Sequence, residues 1–198
     1  MQKKKNLIYI LKNYEIIIFD LDDTLISISK YDELVFKKIC DVIIKIKKKK
    51  ALDKLKILRK LELKTLKRIN IFDKIFNKKN SKLATKIYNS YYPKSFKIKK
   101  SNLIILKNLK RKKKILYLVT NGNKKRQMNK IKNLGILKYF NKVYVMDGNK
   151  KKFKPSTSSL SSLKKNIRSK KAVMIGDSKI DEQFAKNLKV KYIKYFTS

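Results

Sequence analysis

Short apolar segments alternate along the chain with longer stretches of helical periodicity. Each apolar segment is too short for a helix, and an unbroken apolar run suits a strand buried on both faces of a parallel sheet. A fifth segment at residues 191–195 is more polar and is expected to close the sheet as an edge strand. The four apolar segments are residues 16–19, 115–119, 143–146 and 172–175. The pattern predicts an α/β fold, a doubly wound parallel sheet.

A second pattern fills the long interval of residues 26–114 between the first two predicted strands. Apolar residues recur there at spacings of three and four, which predicts helices throughout. The first such face carries Leu34, Val35, Ile39, Val42, Ile43 and Ile46, and Leu52, Leu55, Leu58 and Leu61 follow at a spacing of three. We therefore expect an all-helical insert at residues 31–100 and a core of residues 1–30 and 101–198.

The first predicted strand ends in a cluster of acidic residues. Asp20, Asp22 and Asp23 lie within four positions, in a chain with 55 Lys and Arg and only 14 Asp and Glu. Carboxylates this close repel each other, and one unit of pKa shift corresponds to about 1.4 kcal/mol. A divalent cation offsets the repulsion, because hard carboxylate oxygens are ligands that Mg²⁺ selects. The alternative is an Asp-rich turn in which Asp23 or Thr24 caps a helical turn.

Polar motifs also follow the second and fourth predicted strands. Thr120-Asn121-Gly122 offers a hydroxyl and backbone amides that can bind phosphate oxygens, with Gly122 permitting close approach. Gly176-Asp177 is followed four residues later by Asp181. Taken singly, these motifs also fit a loop before a helix, with Asp181 in the first helical turn. Because ligands bind at the carboxyl ends of the strands in doubly wound sheets, we expect the motifs to form one site.

The segment Asp20-Leu21-Asp22-Asp23-Thr24-Leu25 resembles the first motif of the haloacid dehalogenase-like (HAD) superfamily, most of whose members are phosphohydrolases. Thr120 resembles its second motif and Gly176-Asp177 with Asp181 its fourth. Lys154-Pro155 resembles the third motif, and Pro155 and Ser156 are expected to begin the next helix. The resemblance implies a Rossmannoid core with strand order 5-4-1-2-3. In one HAD subclass a helical cap follows the first strand, and residues 31–100 match it in place and helicity.

The resemblance implies a catalytic role for two residues, Asp20 as nucleophile and Asp22 as general acid and base. The spacing agrees with these roles, because residues i and i+2 of an extended segment face the same side and can address one phosphorus atom. To protonate a leaving group Asp22 must be neutral, although an unperturbed Asp has a pKa of about 3.9. We expect neighbouring carboxylates to raise the pKa of Asp22.

Binding roles follow from the same resemblance. The transferring phosphoryl group would be bound by Thr120, Asn121 and Lys154. The expected ligands of Mg²⁺ are Asp20, Asp22 through its main-chain carbonyl, Asp177 and Asp181.

The implied function is Mg²⁺-dependent hydrolysis of a small phosphate monoester, a sugar phosphate or a nucleotide-like compound, through an aspartyl-phosphate intermediate. A phosphomutase would use the same residues and return the phosphoryl group to the substrate. A dehalogenase is less favoured, because cleavage of a carbon–halogen bond requires neither Asp22 as an acid nor a metal. The expected partner is a small phosphorylated metabolite, and the sequence leaves the oligomeric state open.

The net charge of +41 introduces an alternative from another class, a basic non-enzymatic protein that binds nucleic acid. Only five of the 55 basic residues are Arg, a bias typical of AT-rich coding. Nucleic-acid readers favour Arg for bidentate and stacking contacts, and here Lys is spread along the whole chain. We therefore expect nucleic acid to bind only weakly and without specificity, while the charge steers anionic substrates.

Residue types that are scarce narrow the chemistry and the compartment. The chain has no His, which excludes His-based triads, bases and metal sites. The single Cys40 cannot form an internal disulfide, which indicates a reducing compartment, and we expect the cytoplasm. The basic start at Met1 to Lys5 precedes only five apolar residues, too few for a signal peptide. No apolar run approaches membrane-spanning length, so no membrane association is expected.

Overall fold

The computed structural model describes residues 7–44, 46–65, 70–148, 152–168 and 170–197. The basic start at Met1 to Lys5 therefore lies outside the described residues. Within the described ranges, every helix is too short or too polar to cross a lipid bilayer.

Five parallel strands of the described chain form one sheet. They are β1 Ile16–Phe19, β2 Ile115–Asn121, β3 Lys142–Met146, β4 Ala172–Gly176 and β5 Lys191–Lys194. Their order is β3-β2-β1-β4-β5, with every pair parallel. All four residues of the central strand β1 are buried, as expected for a strand with helices on both faces. The predicted doubly wound α/β fold and its strand order are confirmed.

Within the described chain, residues 7–10 are helical and seven further α-helices accompany the sheet. They are α1 Ile28–Ile43, α2 Lys48–Thr65, α3 Lys78–Ser90, α4 Lys100–Arg111, α5 Lys124–Asn133, α6 Ser161–Ile167 and α7 Lys179–Leu188. The expected helix start at Pro155 and Ser156 is wrong, since α6 begins at Ser161. Residues 154–159 form turns instead, in which the Ser156 amide donates to the Phe153 carbonyl.

One face of the sheet carries much of the apolar core. Alternate residues of a strand point to the same face, so Ile16 and Ile18 of β1 pack on one side. There they join a buried cluster with Leu163 of α6 and with Phe184 and Leu188 of α7. Burial of each such side chain contributes roughly 1.5–3 kcal/mol, which fixes the register of the strands.

The register aligns the ends of three strands at one edge of the sheet. Phe19, the last residue of β1, lies opposite Leu118 of β2 and Ile175 of β4. The polar motifs of the sequence begin one or two residues after these positions. The fold therefore brings motifs together that are separated by more than 100 residues along the chain.

The chain divides into two compact units, Met1–Ser27 with Lys97–Ser198, and Ile28–Phe96. The first unit contains the sheet. The regular structure of the described residues in the second unit is helical, and its centre is aromatic. Phe36 of α1 stacks on Tyr88 of α3 at 5.8 Å between ring centroids, and Phe72 packs edge-on against both rings.

Candidate active site

The carboxylate of Asp20 is held by a buried lysine. The main-chain amide of Asp20 donates to the Ile175 carbonyl at 2.9 Å, which extends the β1–β4 pairing into the site. The Lys154 ammonium group donates to Asp20 Oδ1 at 2.5 Å and to Asp181 Oδ1 at 2.6 Å. All three charged side chains are buried, so their charges are weakly screened by water. Lys154 thus bridges the first and fourth motifs.

Asp20, Asp177 and Asp181 form an acidic group of the size a metal ion requires. One carboxylate oxygen from each lies within 4.8 Å of the others. The Thr24 hydroxyl orients Asp177 by donating to its Oδ1 at 3.2 Å. Asp181 belongs to a capping box of α7, where the Ser178 hydroxyl donates to Asp181 Oδ2 at 2.6 Å. Asp181 can therefore cap α7 and also belong to the acidic group, because its Oδ2 contacts Ser178 and its Oδ1 contacts Lys154.

The electrostatics of this group fit a divalent cation. Burial, which Lys154 only partly offsets, raises the pKa of Asp20 to about 8. Burial, reinforced by Asp181 and Asp23, raises the pKa of Asp177 to about 6. Three carboxylates against one ammonium leave an excess of negative charge, and their oxygens are the hard ligands that Mg²⁺ prefers. A bound cation would lower both pKa values, so that Asp20 as well as Asp177 is ionised at neutral pH.

The side chain of Asp22 lies outside the acidic group and has its own partners on α5. The Lys130 ammonium donates to Asp22 Oδ1 at 2.5 Å, and Gln127 Nε2 donates to Oδ2 at 3.0 Å. Burial opposes ionisation, but the Lys130 charge and these hydrogen bonds lower the pKa of Asp22 below its ordinary value. The expectation of a raised pKa is wrong, because the charge that dominates at Asp22 is a lysine and not a neighbouring carboxylate.

Gln127 links Asp22 to the phosphate-binding motif. Its side-chain nitrogen lies 2.7 Å from Thr120 Oγ1 and 2.9 Å from the Asn121 carbonyl, as well as beside Asp22. Gly122 allows this approach, because its φ of 142° is one that side chains disfavour and a Cβ there would meet Gln127 at 3.3 Å. Neither Gln127 nor Lys130 was singled out from the sequence. The available signal was their i, i+3 spacing on a helix directly after the motif.

The side chain of Asn121 is engaged with the main chain of Lys154. Asn121 Oδ1 accepts from the Lys154 amide at 2.9 Å, and Asn121 Nδ2 donates to the Lys154 carbonyl at 3.3 Å. This double contact fixes the loop from which Lys154 reaches Asp20. Asn121 therefore acts on the site through Lys154, whereas direct contact of Asn121 with phosphate stays a prediction.

The comparisons with known proteins identify the class of enzyme. The family model of haloacid dehalogenase-like hydrolases matches residues 17–195. The chain therefore belongs to the haloacid dehalogenase-like hydrolases, and the predicted family is confirmed. A search of curated proteins gave no significant match.

Solved structures share the fold at low sequence identity. The magnesium-bound HAD-hydrolase YfnB of Bacillus subtilis is 18% identical with a TM-score of 0.66, over 91% of this chain and 86% of that one. A hydrolase from Streptococcus pneumoniae TIGR4 is 18% identical with a TM-score of 0.59, over 94% of each chain. L-2-haloacid dehalogenase from Xanthobacter autotrophicus is 12% identical with a TM-score of 0.58, over 91% and 77%. These likenesses concern the fold.

Proposed function

We propose that the protein is a Mg²⁺-dependent phosphatase that hydrolyses a small phosphate monoester through an aspartyl-phosphate intermediate. The observation that carries this proposal is the different setting of two carboxylates two residues apart. Asp20 lies in the acidic group beside Lys154, whereas Asp22 is paired with Lys130. A nucleophile beside a cation site and a separate acid–base group are what a two-step phosphoryl transfer needs.

In the first step, Asp20 attacks the phosphorus atom while the ester P–O bond breaks. Asp22 gives a proton to the departing oxygen, and the phosphoryl group remains on Asp20 as a mixed anhydride. The Thr120 hydroxyl and the Lys154 ammonium group hold the phosphoryl oxygens. Mg²⁺ held by Asp20, Asp177, Asp181 and the main-chain carbonyl of Asp22 would supply positive charge that neutralises the phosphoryl oxygens.

In the second step, water attacks the phosphorus atom while its bond to the Asp20 oxygen breaks, which releases inorganic phosphate and regenerates the Asp20 carboxylate. Asp22 takes a proton from the attacking water. Asp22 is suited to this base role because its lowered pKa keeps it ionised in the free protein. The acid role in the first step requires a proton on Asp22. An anionic phosphate bound beside Asp22 disfavours its charged form and so favours protonation.

The role of the cap is assigned to the predicted helical insert, which includes most of the second unit. We place this role on residues 31–100, which would supply substrate contacts and exclude water, as lids do. The catalytic residues all belong to the first unit, so substrate preference and chemistry reside in different parts of the sequence. The magnesium bound by the structurally similar YfnB supports the choice of cation.

A screen of phosphorylated metabolites with Mg²⁺, with Asp20→Asn as the inactive reference, tests the proposal. Asp20→Asn should abolish phosphate release while the protein stays folded, because an amide is a poor nucleophile and a poorer metal ligand. Asp53→Asn, at an exposed position of α2, is the control and should keep wild-type rates. Near-normal activity of folded Asp20→Asn protein would overturn the mechanism.

Removal of the metal is the second arm of this experiment. Exhaustive chelation should abolish turnover, and added Mg²⁺ should restore it. Full activity in a sample with no bound metal would contradict the assignment of the cation. It would not contradict the assignment of Asp20 as the nucleophile. Transfer of phosphate to a second substrate molecule, with no inorganic phosphate released, would identify a phosphomutase.

A further inference from the structure

Lys130 is a charged residue buried completely within the site. Its exposed fraction is 0%, as is that of Gln127 one helical turn earlier on α5. Residues at i and i+3 lie on the same helix face, so both side chains point to the same place. Burial of an ammonium group is unfavourable unless it is paired, and the Asp22 carboxylate at 2.5 Å provides that pairing. Because Lys130 is inaccessible, it can act on a substrate only through the groups that it contacts, and the ion pair with Asp22 is the contact that leads to the reacting atoms.

The hydrogen bonds of Gln127 restrict the acceptors to which the Thr120 hydroxyl can donate its proton. The Asp22 carboxylate and the Asn121 carbonyl can only accept, so the nitrogen of the Gln127 amide must face them. The same nitrogen lies 2.7 Å from Thr120 Oγ1 and cannot accept a hydrogen bond. The Thr120 hydroxyl proton is therefore directed to another acceptor. A phosphoryl oxygen at the end of β2 is such an acceptor.

The same pair of residues, Gln127 and Lys130, holds the Asp22 carboxylate apart from that of Asp20. Asp22 is only two residues from Asp20, yet its side chain is not part of the acidic group formed by Asp20, Asp177 and Asp181. Lys130 and Gln127 each hold one oxygen of Asp22, so both carboxylate oxygens are engaged on the α5 side. Without these donors, the Asp22 carboxylate would be free to turn toward the cation site.

We propose that Gln127 and Lys130 are positioning residues that hold the acid Asp22 and the phosphoryl-binding hydroxyl of Thr120 in one fixed arrangement. The proposal rests on the phosphatase function proposed above. Lys130 acts on proton delivery to the leaving group, and Gln127 acts on both proton delivery and phosphoryl binding. Neither residue touches the substrate.

The test compares two phosphate esters that differ in their need for a proton. p-Nitrophenyl phosphate has a leaving group that departs without protonation, whereas glycerol phosphate releases an alkoxide that needs it. Alcohol release is measured in a single turnover with saturating enzyme, so that hydrolysis of the phosphoenzyme does not limit the rate. Lys130→Met should slow the alkyl ester about 100-fold and the aryl ester about threefold or less, since general acid catalysis contributes to the former.

The double variant with Asp22→Asn tests whether Lys130 acts through Asp22. In the Asp22→Asn background, Lys130→Met should cause no further loss with the alkyl ester, because the group that Lys130 positions is already lost. Gln127→Glu places an acceptor against Asp22 and Thr120, and should weaken binding of both esters in addition to slowing the alkyl ester. Lys130→Gln, which keeps a donor without the charge, should restore part of the alkyl rate and serves if Lys130→Met folds poorly.

Lys132→Met and Gln183→Glu are the matched controls, because both positions are exposed, and both should keep wild-type rates. An equal loss with both esters, or a further loss in the Asp22→Asn background, would overturn the positioning role while the phosphatase function stands. A wild-type protein inactive on every ester in the presence of Mg²⁺ overturns the phosphatase function and this inference with it.

Discussion

The position of Asp181 depends on the absence of a side chain at Gly176. A Cβ atom built on Gly176 would lie 2.4 Å from Asp181 Cβ and 2.5 Å from its Cγ, closer than real contacts allow. The last residue of β4 therefore has to be glycine for Asp181 to reach both Lys154 and Ser178. The motif glycine is a packing requirement of the site as well as part of a turn.

Gly176→Ala should therefore reduce both stability and activity. Relief of the overlap requires movement of Asp181 or of the β4 backbone, and overpacking of this kind costs about 1–3 kcal/mol. The free energy of unfolding is measured with urea, and turnover is measured with the best ester from the metabolite screen. Wild-type turnover in the alanine variant would show that catalysis does not depend on the position of the Asp181 side chain.

Among single residues, those within a local sequence motif could be predicted to belong to the site. Residues that reach the site from distant parts of the chain could not. Asp20, Asp177 and Asp181 could be found because acids follow buried strands in a chain that has few acids. Lys130 was missed, since its spacing from Gln127 on a helix after the motif is a weak signal for one lysine among 55 basic residues. The wrong pKa direction for Asp22 has the same origin, because its strongest partner lies 108 positions away along the chain.

At the scale of elements, the first four strands were predictable because each contains a short apolar run, whereas β5 has only two hydrophobic residues, between lysines. The helix after Lys154 was placed too early, since Pro155 and Ser156 are also good turn residues. Helical periodicity predicted helices throughout the second unit, where residues 71–75 form turns instead, and it did not predict the polar contacts between the helices. Those contacts join residues on different helices, and no regular spacing along the sequence indicates such pairs.

The second unit contains such a contact at its centre, a buried charge shared by three helices. Asp32 of α1 accepts from Arg59 Nε of α2 at 2.8 Å and from the Tyr88 hydroxyl of α3 at 2.7 Å. Arg59 also donates to Glu62 at 2.6 Å. The network ties the three helices together in a unit whose aromatic core is small.

Arg59→Met should destabilise this unit, because Asp32 would keep its charge in a buried place with one partner fewer. Loss of one member of a buried pair costs about 3–5 kcal/mol, and we expect about 2 kcal/mol here since Arg59 is 17% exposed. Lys56→Met is the control; it removes an exposed partner of Glu33 and should cost at most about 1 kcal/mol. Equal midpoints of urea unfolding for both variants would contradict a structural role for the Asp32 network.

At the scale of the molecule, the net charge of +41 acts on substrates through long-range attraction. Added salt shortens the Debye length from about 10 Å at 0.1 M to about 3 Å at 1 M, so the KM for a phosphate ester should rise with salt while kcat changes little. Steady-state kinetics across this range measure the effect. A KM independent of salt would show that the charge does not contribute to substrate capture.

Nucleic-acid binding separates the enzyme from the basic binding protein. Weak binding that falls steeply with salt is expected of any surface this basic and should be equal in wild-type and Asp20→Asn proteins. Tight binding of one sequence at physiological salt, together with no hydrolysis of any phosphate ester, favours the binding protein. Fluorescence anisotropy with labelled duplex DNA distinguishes the two.

The buried ammonium group of Lys154 gives the acidic site a counterion that the chain itself supplies. Asp20 and Asp181 each have a positive partner before any cation arrives, so folding does not have to wait for metal. A bound cation adds only the linkage contribution, about 2.7 kcal/mol at a hundredfold excess over its dissociation constant. On the proposed Mg²⁺ dependence, the metal-free protein would then be folded but inactive, and a return of magnesium would restore activity without new protein synthesis.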